Sequence, residues 1–519
     1  ANDDAPLRLP DPMGWAWRPS WRLSAPDVEL DHQGRPQGPQ SRFLILADDG
    51  GLADRVGARL REAGHEVIWL RPGDCFAQTG PDAFMVAPEN GAADFELLVA
   101  ALVAQNRLPQ RIVSFWLVPD AAREGARAGF SPFHRHLEQG FNTVLHLIRA
   151  LANEGGGQEV DLVAVTSGAA RVGAERVQAP EKAMILGPLA VGMREFPWLA
   201  ARSIDLPPAG DPAALTDRLV EDLMDPAPPA RAAWRDGRRL ARHLVPVPLP
   251  QPDDMPAFGP DRTVLITGGL GGIALTLARH ITGQGAAVAL LTRRPLPPEA
   301  EWDARIAADP DHRQSRQMAA LRSLRAGGAK VSVATADVTD ADALAQALDH
   351  VRRELGPITD LIHAAGTVDD APMLAKSSAE IEDVLAPKVH GTRNLAMVLA
   401  DRPVQRTVLF SSTSTEIAAT GQVDYVAANE YLNAVAAAGI PAFGQVVAVN
   451  WGIWAQIGMA AEALSGRRDD PAPEPVSQPL LAARLAEPGV ERFTGRLRSS
   501  DWIIAEHRTR DGLALLPGT

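Results

Sequence analysis

Residues 261–294, DRTVLITGGLGGIALTLARHITGQGAAVALLTRR, constrain the fold more than any other stretch of the chain. Val264, Leu265 and Ile266 form the short apolar run that a strand buried on both faces requires. Thr267, Gly268, Gly269, Leu270, Gly271, Gly272, Ile273 and Ala274 follow at once, and Leu275, Leu277, Ala278 and Ile281 then recur at helical spacing. Ala287 to Leu291 is a second apolar run, so the stretch reads as strand, glycine turn, helix, strand: one βαβ unit. Glycine permits the tight turn and lets backbone N–H groups approach a pyrophosphate, while a small residue at Ala274 lets helix and strand pack closely. The helix N-terminus adds partial positive charge. The second strand ends in Thr292-Arg293-Arg294, where an acidic residue would bind a ribose 2′-hydroxyl; arginine suits a 2′-phosphate. The expected cofactor is therefore NADPH/NADP+ rather than NAD(H).

The same alternation of apolar runs and helical segments occurs earlier. Phe43–Ala47, Val67–Leu70, Ile112–Leu117 and Leu162–Val165 read as strands, with helices at 52–63 and 135–153 between them. This first copy lacks the phosphate turn. After Leu46 the chain gives Ala47-Asp48-Asp49-Gly50-Gly51, and two aspartates would repel a pyrophosphate. It is expected to be cofactor-free. His134, His136 and His146 lie on or near one of its helices without a matching carboxylate or cysteine cluster, so solvated or capping histidines are expected rather than metal ligands. The proline-rich Val245–Asp254 separates the two halves.

At 519 residues the chain is long enough for about three domains. A net charge of −13 argues against nucleic acid or an anionic membrane as partner. The single cysteine, Cys75, rules out an intrachain disulfide and fits a reducing compartment. The polar N-terminal segment has no signal-like core, and no apolar run nears the ~20 residues that span a bilayer, so a cytoplasmic location is expected.

The second half holds the candidate chemistry. Val331–Val333 is a strand leading to Asp337-Val338, where a carboxylate can bond an adenine amino group. Leu361-Ile362-His363 ends in the small residues Ala364-Ala365-Gly366, which allow close passage of a dinucleotide. Leu409-Phe410-Ser411-Ser412 ends in hydroxyls, at the strand ends where open α/β sheets bind ligands. Reduction of a ketone leaves an alkoxide that must be protonated. A tyrosine can do this if a nearby cation lowers its pKa from about 10. Tyr425 and Asn429 lie four apart on one helix face, and Lys388 supplies the candidate cation. Singly, Ser412 could be a strand-end hydroxyl, Lys388 a solvated helix residue and Asn429 a surface amide. Together behind a dinucleotide turn they point to catalysis.

These segments closely resemble the ketoreductase domain of modular polyketide synthases, a pair of short-chain dehydrogenase/reductase-like folds. TGGLGGIA, HAAG, LAPKVHGTRNL, LFSST, GQVDYVAANEYLNA and VNWGIW carry the resemblance, and Glu181–Pro188 and Arg202–Leu206 resemble the structural subdomain. The resemblance implies an α/β chain of two Rossmann-like doubly wound parallel-sheet subdomains. It implies NADPH-dependent reduction of a β-ketoacyl thioester on the phosphopantetheine arm of an acyl carrier protein, alongside other domains of the same synthase. By position, Tyr425 is the proton donor, Ser412 orients the ketone, and Lys388 and Asn429 support the tyrosine, the cofactor ribose and a proton relay. Val368-Asp369-Asp370 is similar to the family's B-type signature, and Ile417 stands where A-type members carry tryptophan, with Gln422 nearby. A D-configured (3R) hydroxyl is implied.

The expected layout is 1–14 disordered or linker, 15–250 structural subdomain, 251–260 linker, 261–462 catalytic subdomain, 463–478 linker and 479–519 a further piece. The catalytic sheet is expected to lack its usual last helix and strand. Residues 479–519 resemble the start of a polyketide synthase dehydratase, a β-rich hot-dog fold, with His507 at its catalytic histidine position. Its aspartate would lie beyond Thr519, so no dehydratase activity is expected, and the chain reads as cut from a longer polypeptide. Two other readings compete: a reductase-shaped scaffold that only docks the carrier, and a free-standing short-chain reductase acting on a small ketone.

Overall fold

The computed structural model describes residues 11–32, 36, 38–118, 131–208, 210–249, 257–454, 457, 474–478, 481–487 and 490–494. The chain divides into two units, Ala1–Gly452 and Ile453–Thr519.

The first unit contains two sheets. The larger comprises β1 (Trp17–Ser24), β2 (Arg42–Leu46), β3 (Glu66–Pro72), β4 (Ala77–Gly80), β5 (Ala83–Val86), β6 (Arg111–Leu117), β7 (Val160–Ser167), β8 (Leu199–Leu206), β9 (Arg231–Arg235) and β10 (Arg238–Pro246). Their order is β1-β10-β9-β8-β7-β6-β2-β3-β5-β4. From β5 to β9 every neighbouring pair is parallel, and the antiparallel pairs lie at the two edges. The smaller sheet comprises β11 (Thr263–Thr267), β12 (Ala287–Thr292), β13 (Val331–Thr335), β14 (Asp360–His363), β15 (Arg406–Ser412) and β16 (Gln445–Trp451), in the order β13-β12-β11-β14-β15-β16. All its pairs are parallel. In sequence order this is 3-2-1-4-5-6, the dinucleotide-binding arrangement, whose ligand crevice opens where the winding reverses between β11 and β14. β2, β3, β5, β6, β7 and β8 repeat that order in the first sheet. The expected α/β class with two doubly wound parallel sheets is observed.

Burial explains the near-continuous apolar strands. Phe43, Ile45 and Leu46 of β2 and Val264, Leu265 and Ile266 of β11 are fully buried, as strands covered on both faces must be. The helix Leu186–Glu195 of the first half lies directly on the helix Val423–Ala438 of the second; a Cβ on Gly187 would sit 2.5 Å from the Val423 carbonyl oxygen. Arg231 reaches across to Glu430 at 2.6 Å, and Arg242 pairs with Glu416.

Some expectations need correction. A short 3-10 turn at Pro12–Gly14 occupies the end of the segment read as disordered. Of the three histidines, only His134 is exposed. His136 is buried on Glu181 at 2.8 Å, and His146 is buried beside the Phe95 ring, its pKa lowered to about 4 by burial. They pack the core, and no group of three potential metal ligands occurs among the described residues. In the second unit, β17 (Glu474–Gln478) starts inside the stretch read as linker and forms an antiparallel sheet with β18 (Leu481–Glu487) and β19 (Val490–Thr494). His507 lies outside the described residues. No described helix is long and apolar enough to cross a membrane.

Candidate active site and cofactor cleft

The glycine turn connects β11 to the helix Gly272–Gly283. Thr267, fully buried, ends the strand; its hydroxyl accepts from the N–H groups of Ala364 and Ala365 at 3.1 Å and pairs with His363 Nδ1 at 2.7 Å. One side chain thus joins the ends of the two strands that flank the crevice. Gly268 has φ +67, and a Cβ there would lie 2.9 Å from the Ala364 carbonyl oxygen. On Gly269 it would lie 2.7 Å from the Leu290 backbone. Glycine is therefore required by conformation at the first position and by close approach at the second. Gly271 caps the helix without a side-chain acceptor, and Gly272 and Ile273 begin it, so the first backbone N–H groups point outward from a half-buried surface. Leu270 is buried and its carbonyl accepts from Gln317 at 2.8 Å. The cradle fits a pyrophosphate.

Thr292 ends β12, and Arg293 and Arg294 are exposed beyond it. Asp337 follows β13, and its carboxylate accepts from Thr339 N and Oγ1 at 2.9 and 2.7 Å, which fixes that loop. Val338 is buried against Gly391, and its carbonyl accepts from Asn394. The first sheet offers a contrast at the corresponding place. Asp48, nearly buried, accepts from Ala53 N at 2.8 Å and Leu52 N at 3.3 Å, so its own carboxylate occupies the helix N-terminus where a phosphate would sit.

Three elements bring the candidate reactive groups together. The helix Ser378–Val398 carries Lys388, whose ammonium is buried and donates to the Phe410 carbonyl at 2.6 Å. Its Nζ lies 6.0 Å from the centre of the Tyr425 ring. Gly366 makes room for this arm, since a Cβ there would sit 2.9 Å from Lys388 Cε. β15 ends at Ser412, whose hydroxyl donates to Ser414 Oγ at 3.0 Å. The neighbouring Ser411 hydroxyl donates to the Asn429 carbonyl at 3.1 Å and ties β15 to the helix Val423–Ala438. That helix presents Tyr425 and Asn429 one turn apart. Asn429 is fully buried, its amide donates to the Tyr425 carbonyl at 2.7 Å, and its Oδ1 has no hydrogen-bond partner among the described residues. Lys388 and Asn429 are thus neither solvated nor superficial.

Electrostatics depart from the sequence reading in one respect. Burial raises the Tyr425 phenol above its ordinary value, and the hydroxyl of Ser412 and the amide of Asn429 only partly oppose this. Lys388, the expected cation, is itself lowered to about 7 by burial and is only partly charged near neutrality. His363, enclosed between Thr267 and Lys388, is lowered to about 3 by burial and then by the lysine's charge, so it stays neutral.

The loop after β14 carries Val368, half-buried, and Asp369 and Asp370, both exposed. Gln422 donates to Asp370 at 3.1 Å, while Ile417 is 58% exposed. Sequence reasoning missed the groups that hold this loop. Lys376 and Asp424 form a fully buried ion pair at 2.6 Å, and Lys376 also donates to the Asp369 carbonyl. Asp424 in turn accepts from Tyr425 N at 2.8 Å. Asp424 adjoins the tyrosine and could have been singled out; nothing local marks Lys376 as its partner.

Residues 262–456 match the family model described as KR domain, and residues 41–207 match one described as Beta-ketoacyl synthase-like, N-terminal. Residues 262–456, the part that forms the second sheet, are thus similar to a KR domain of the kind found in modular polyketide synthases. The ketosynthase-like match lies on the first sheet, β2 to β8. A 6-methylsalicylic acid synthase of Aspergillus terreus is 36% identical over 283 residues, 54% of this chain and 15% of that protein. Polyketide synthase GfsA of Streptomyces halstedii is 31% identical over 467 residues, 88% of this chain and 6% of that protein. The chain therefore spans a small part of these curated relatives. Solved A-type ketoreductases from a modular polyketide synthase align with a TM-score of 0.66 at 26% identity, over 88% of this chain and 86% of that one. A C2-type ketoreductase aligns at 0.67 and 27% identity, with the same coverage.

Proposed function

We propose that the KR domain reduces a β-ketoacyl thioester, delivered on an acyl carrier protein, to a β-hydroxyacyl thioester with NADPH. The observation that carries this reading is the convergence of Tyr425, Ser412, Lys388 and Asn429 on one side of a crevice whose other side is a phosphate cradle. When bound, the nicotinamide supplies the hydride. Thr267–Ile273 would hold the pyrophosphate, Arg293 and Arg294 the 2′-phosphate, Asp337 and Val338 the adenine, and Ala364, Ala365 and Gly366 would line its path.

The remaining chemistry belongs to this chain. Ser412 holds the ketone oxygen by hydrogen bonding, its rotamer fixed by Ser414. Tyr425 donates its phenolic proton to the oxygen as negative charge develops there. Burial keeps the phenol protonated until the ketone is reduced, and the alkoxide that then forms is basic enough to take its proton. Lys388, half-protonated near pH 7, is suited to return a proton toward the tyrosine, with Asn429 in the same relay. Asp369, Asp370 and Gln422 border the substrate side, and with Val368-Asp369-Asp370 similar to the B-type motif and Ile417 where A-type members carry tryptophan, the B-type, D-hydroxyl outcome is the expected one. The first sheet binds no cofactor, since Asp48 fills its helix N-terminus.

The test follows NADPH absorbance with a β-ketoacyl-N-acetylcysteamine thioester, for wild type and Tyr425→Phe, with chiral analysis of the product. Oxidation that Tyr425→Phe removes supports the reductase, and a D product supports the stereochemical assignment. An L product overturns the latter alone. Lack of both turnover and NADPH binding would refute the reading.

A further inference from the structure

We propose that Glu195, which belongs to the first-sheet half of the chain, is a positioning residue for the site in the second half. A single carboxylate sets the loop carrying Asp369 and Asp370 in register with the turn that leads to Tyr425. The inference rests on the reading of Tyr425 as the proton donor.

Glu195 is the last residue of the helix Leu186–Glu195. A negative charge is disfavoured at that end of a helix by the backbone dipole, so it needs compensating donors. It has two. Oε2 accepts from Met373 N and Oε1 from Gly421 N, each at 2.7 Å. Both are charge-assisted bonds to backbone N–H groups. The two donors come from distant stretches of sequence that meet here, where Ala371 N also donates to the Gly421 carbonyl at 3.2 Å. Gly421 has φ +83.

The Met373 peptide is gripped from its other side as well. Arg149, also of the first half, donates to the Met373 carbonyl at 2.6 and 2.9 Å and to the Lys376 carbonyl at 2.6 Å. Lys376 then pairs with Asp424, which accepts from Tyr425 N. Two routes therefore lead from Glu195 to the tyrosine, one through Gly421 and one through Met373 and Lys376. The close seat of Gly187 on Val423 keeps the helix that carries Glu195 from sliding.

A carboxylate is the chemistry this junction requires: two acceptors and no donor. Glutamine has the same size but one acceptor, and its NH2 would face a second N–H. Aspartate keeps both acceptors but is one methylene short. Neither change opens a large cavity, so the pair separates positioning from packing.

The experiment uses the full chain as wild type, Glu195→Gln and Glu195→Asp. It measures amide hydrogen exchange of segments 368–377 and 418–424, and steady-state kinetics with the β-ketoacyl-N-acetylcysteamine thioester and NADPH. Glu195→Gln is expected to speed exchange in both segments together by roughly tenfold while segment 263–273 is unchanged. The ketone KM is expected to rise by a similar factor, the NADPH KM to stay, and the enantiomeric ratio of the product to fall. Glu195→Asp should move the same readouts by less. Unchanged exchange, a rise spread over the whole chain, or a wild-type ketone KM and product ratio would overturn the proposal. A wild type without turnover, or an active Tyr425→Phe, would refute the reductase reading; the exchange data would then still decide whether Glu195 couples the two loops.

Discussion

Replacing Lys388 with methionine should make the protein more stable and inactive at once. The ammonium is buried, and burial lowers it from 10.5 to about 7. At 1.36 kcal/mol per decade, holding it charged costs roughly 5 kcal/mol as an upper bound. The lost hydrogen bond to the Phe410 carbonyl returns about 1 kcal/mol, and incomplete desolvation reduces the gain further, which leaves a net stabilisation of about 2–3 kcal/mol. The pH dependence is distinctive. Because the folded-state pKa lies below the unfolded one, the cost is complete below about pH 7, shrinks as pH rises and vanishes above 10.5. Urea melts of wild type and Lys388→Met at pH 6 and pH 10 measure this directly, since other titrations cancel between the two proteins. The difference should be large at pH 6 and small at pH 10, while NADPH oxidation is lost at both. A variant no more stable than wild type at pH 6, or a difference independent of pH, would refute the argument.

Other consequences can be checked with simple assays. Gly268→Ala forces a Cβ against the Ala364 carbonyl at φ +67, so NADPH affinity measured by fluorescence titration should fall at least tenfold, with stability lowered by about 1–2 kcal/mol. Arg293→Ala with Arg294→Ala should raise the KM for NADPH about tenfold or more and leave that for NADH nearly unchanged. His146 is lowered to about 4 and its Nδ1 has no hydrogen-bond partner among the described residues; stability should therefore decline as pH falls from 6.5 toward 4, and His146→Leu should flatten that acid limb in thermal melts. Gly187→Ala, pressed on the Val423 carbonyl, should lower the melting temperature by several degrees.

What could be read from sequence was whatever is local. The glycine turn, its strands and its helix are consecutive, so spacing alone specified a βαβ unit, and its repetition gave both parallel sheets. Tyr425 and Asn429 were placed on one helix face by their spacing, and the aspartates after Leu46 marked where the first copy departs from a phosphate turn, Asp48 accepting there from Leu52 N and Ala53 N. Tertiary structure decided everything that depends on segments meeting from afar. It buried Lys388 and the tyrosine in one packed region, where desolvation raises the phenol and lowers the ammonium. It paired Lys376 with Asp424 and brought Glu195 and Arg149 onto the loops of the other sheet, contacts with no periodicity or motif to announce them. Backbone pattern is set by neighbours along the chain, whereas charge and position at a site are set by neighbours in space.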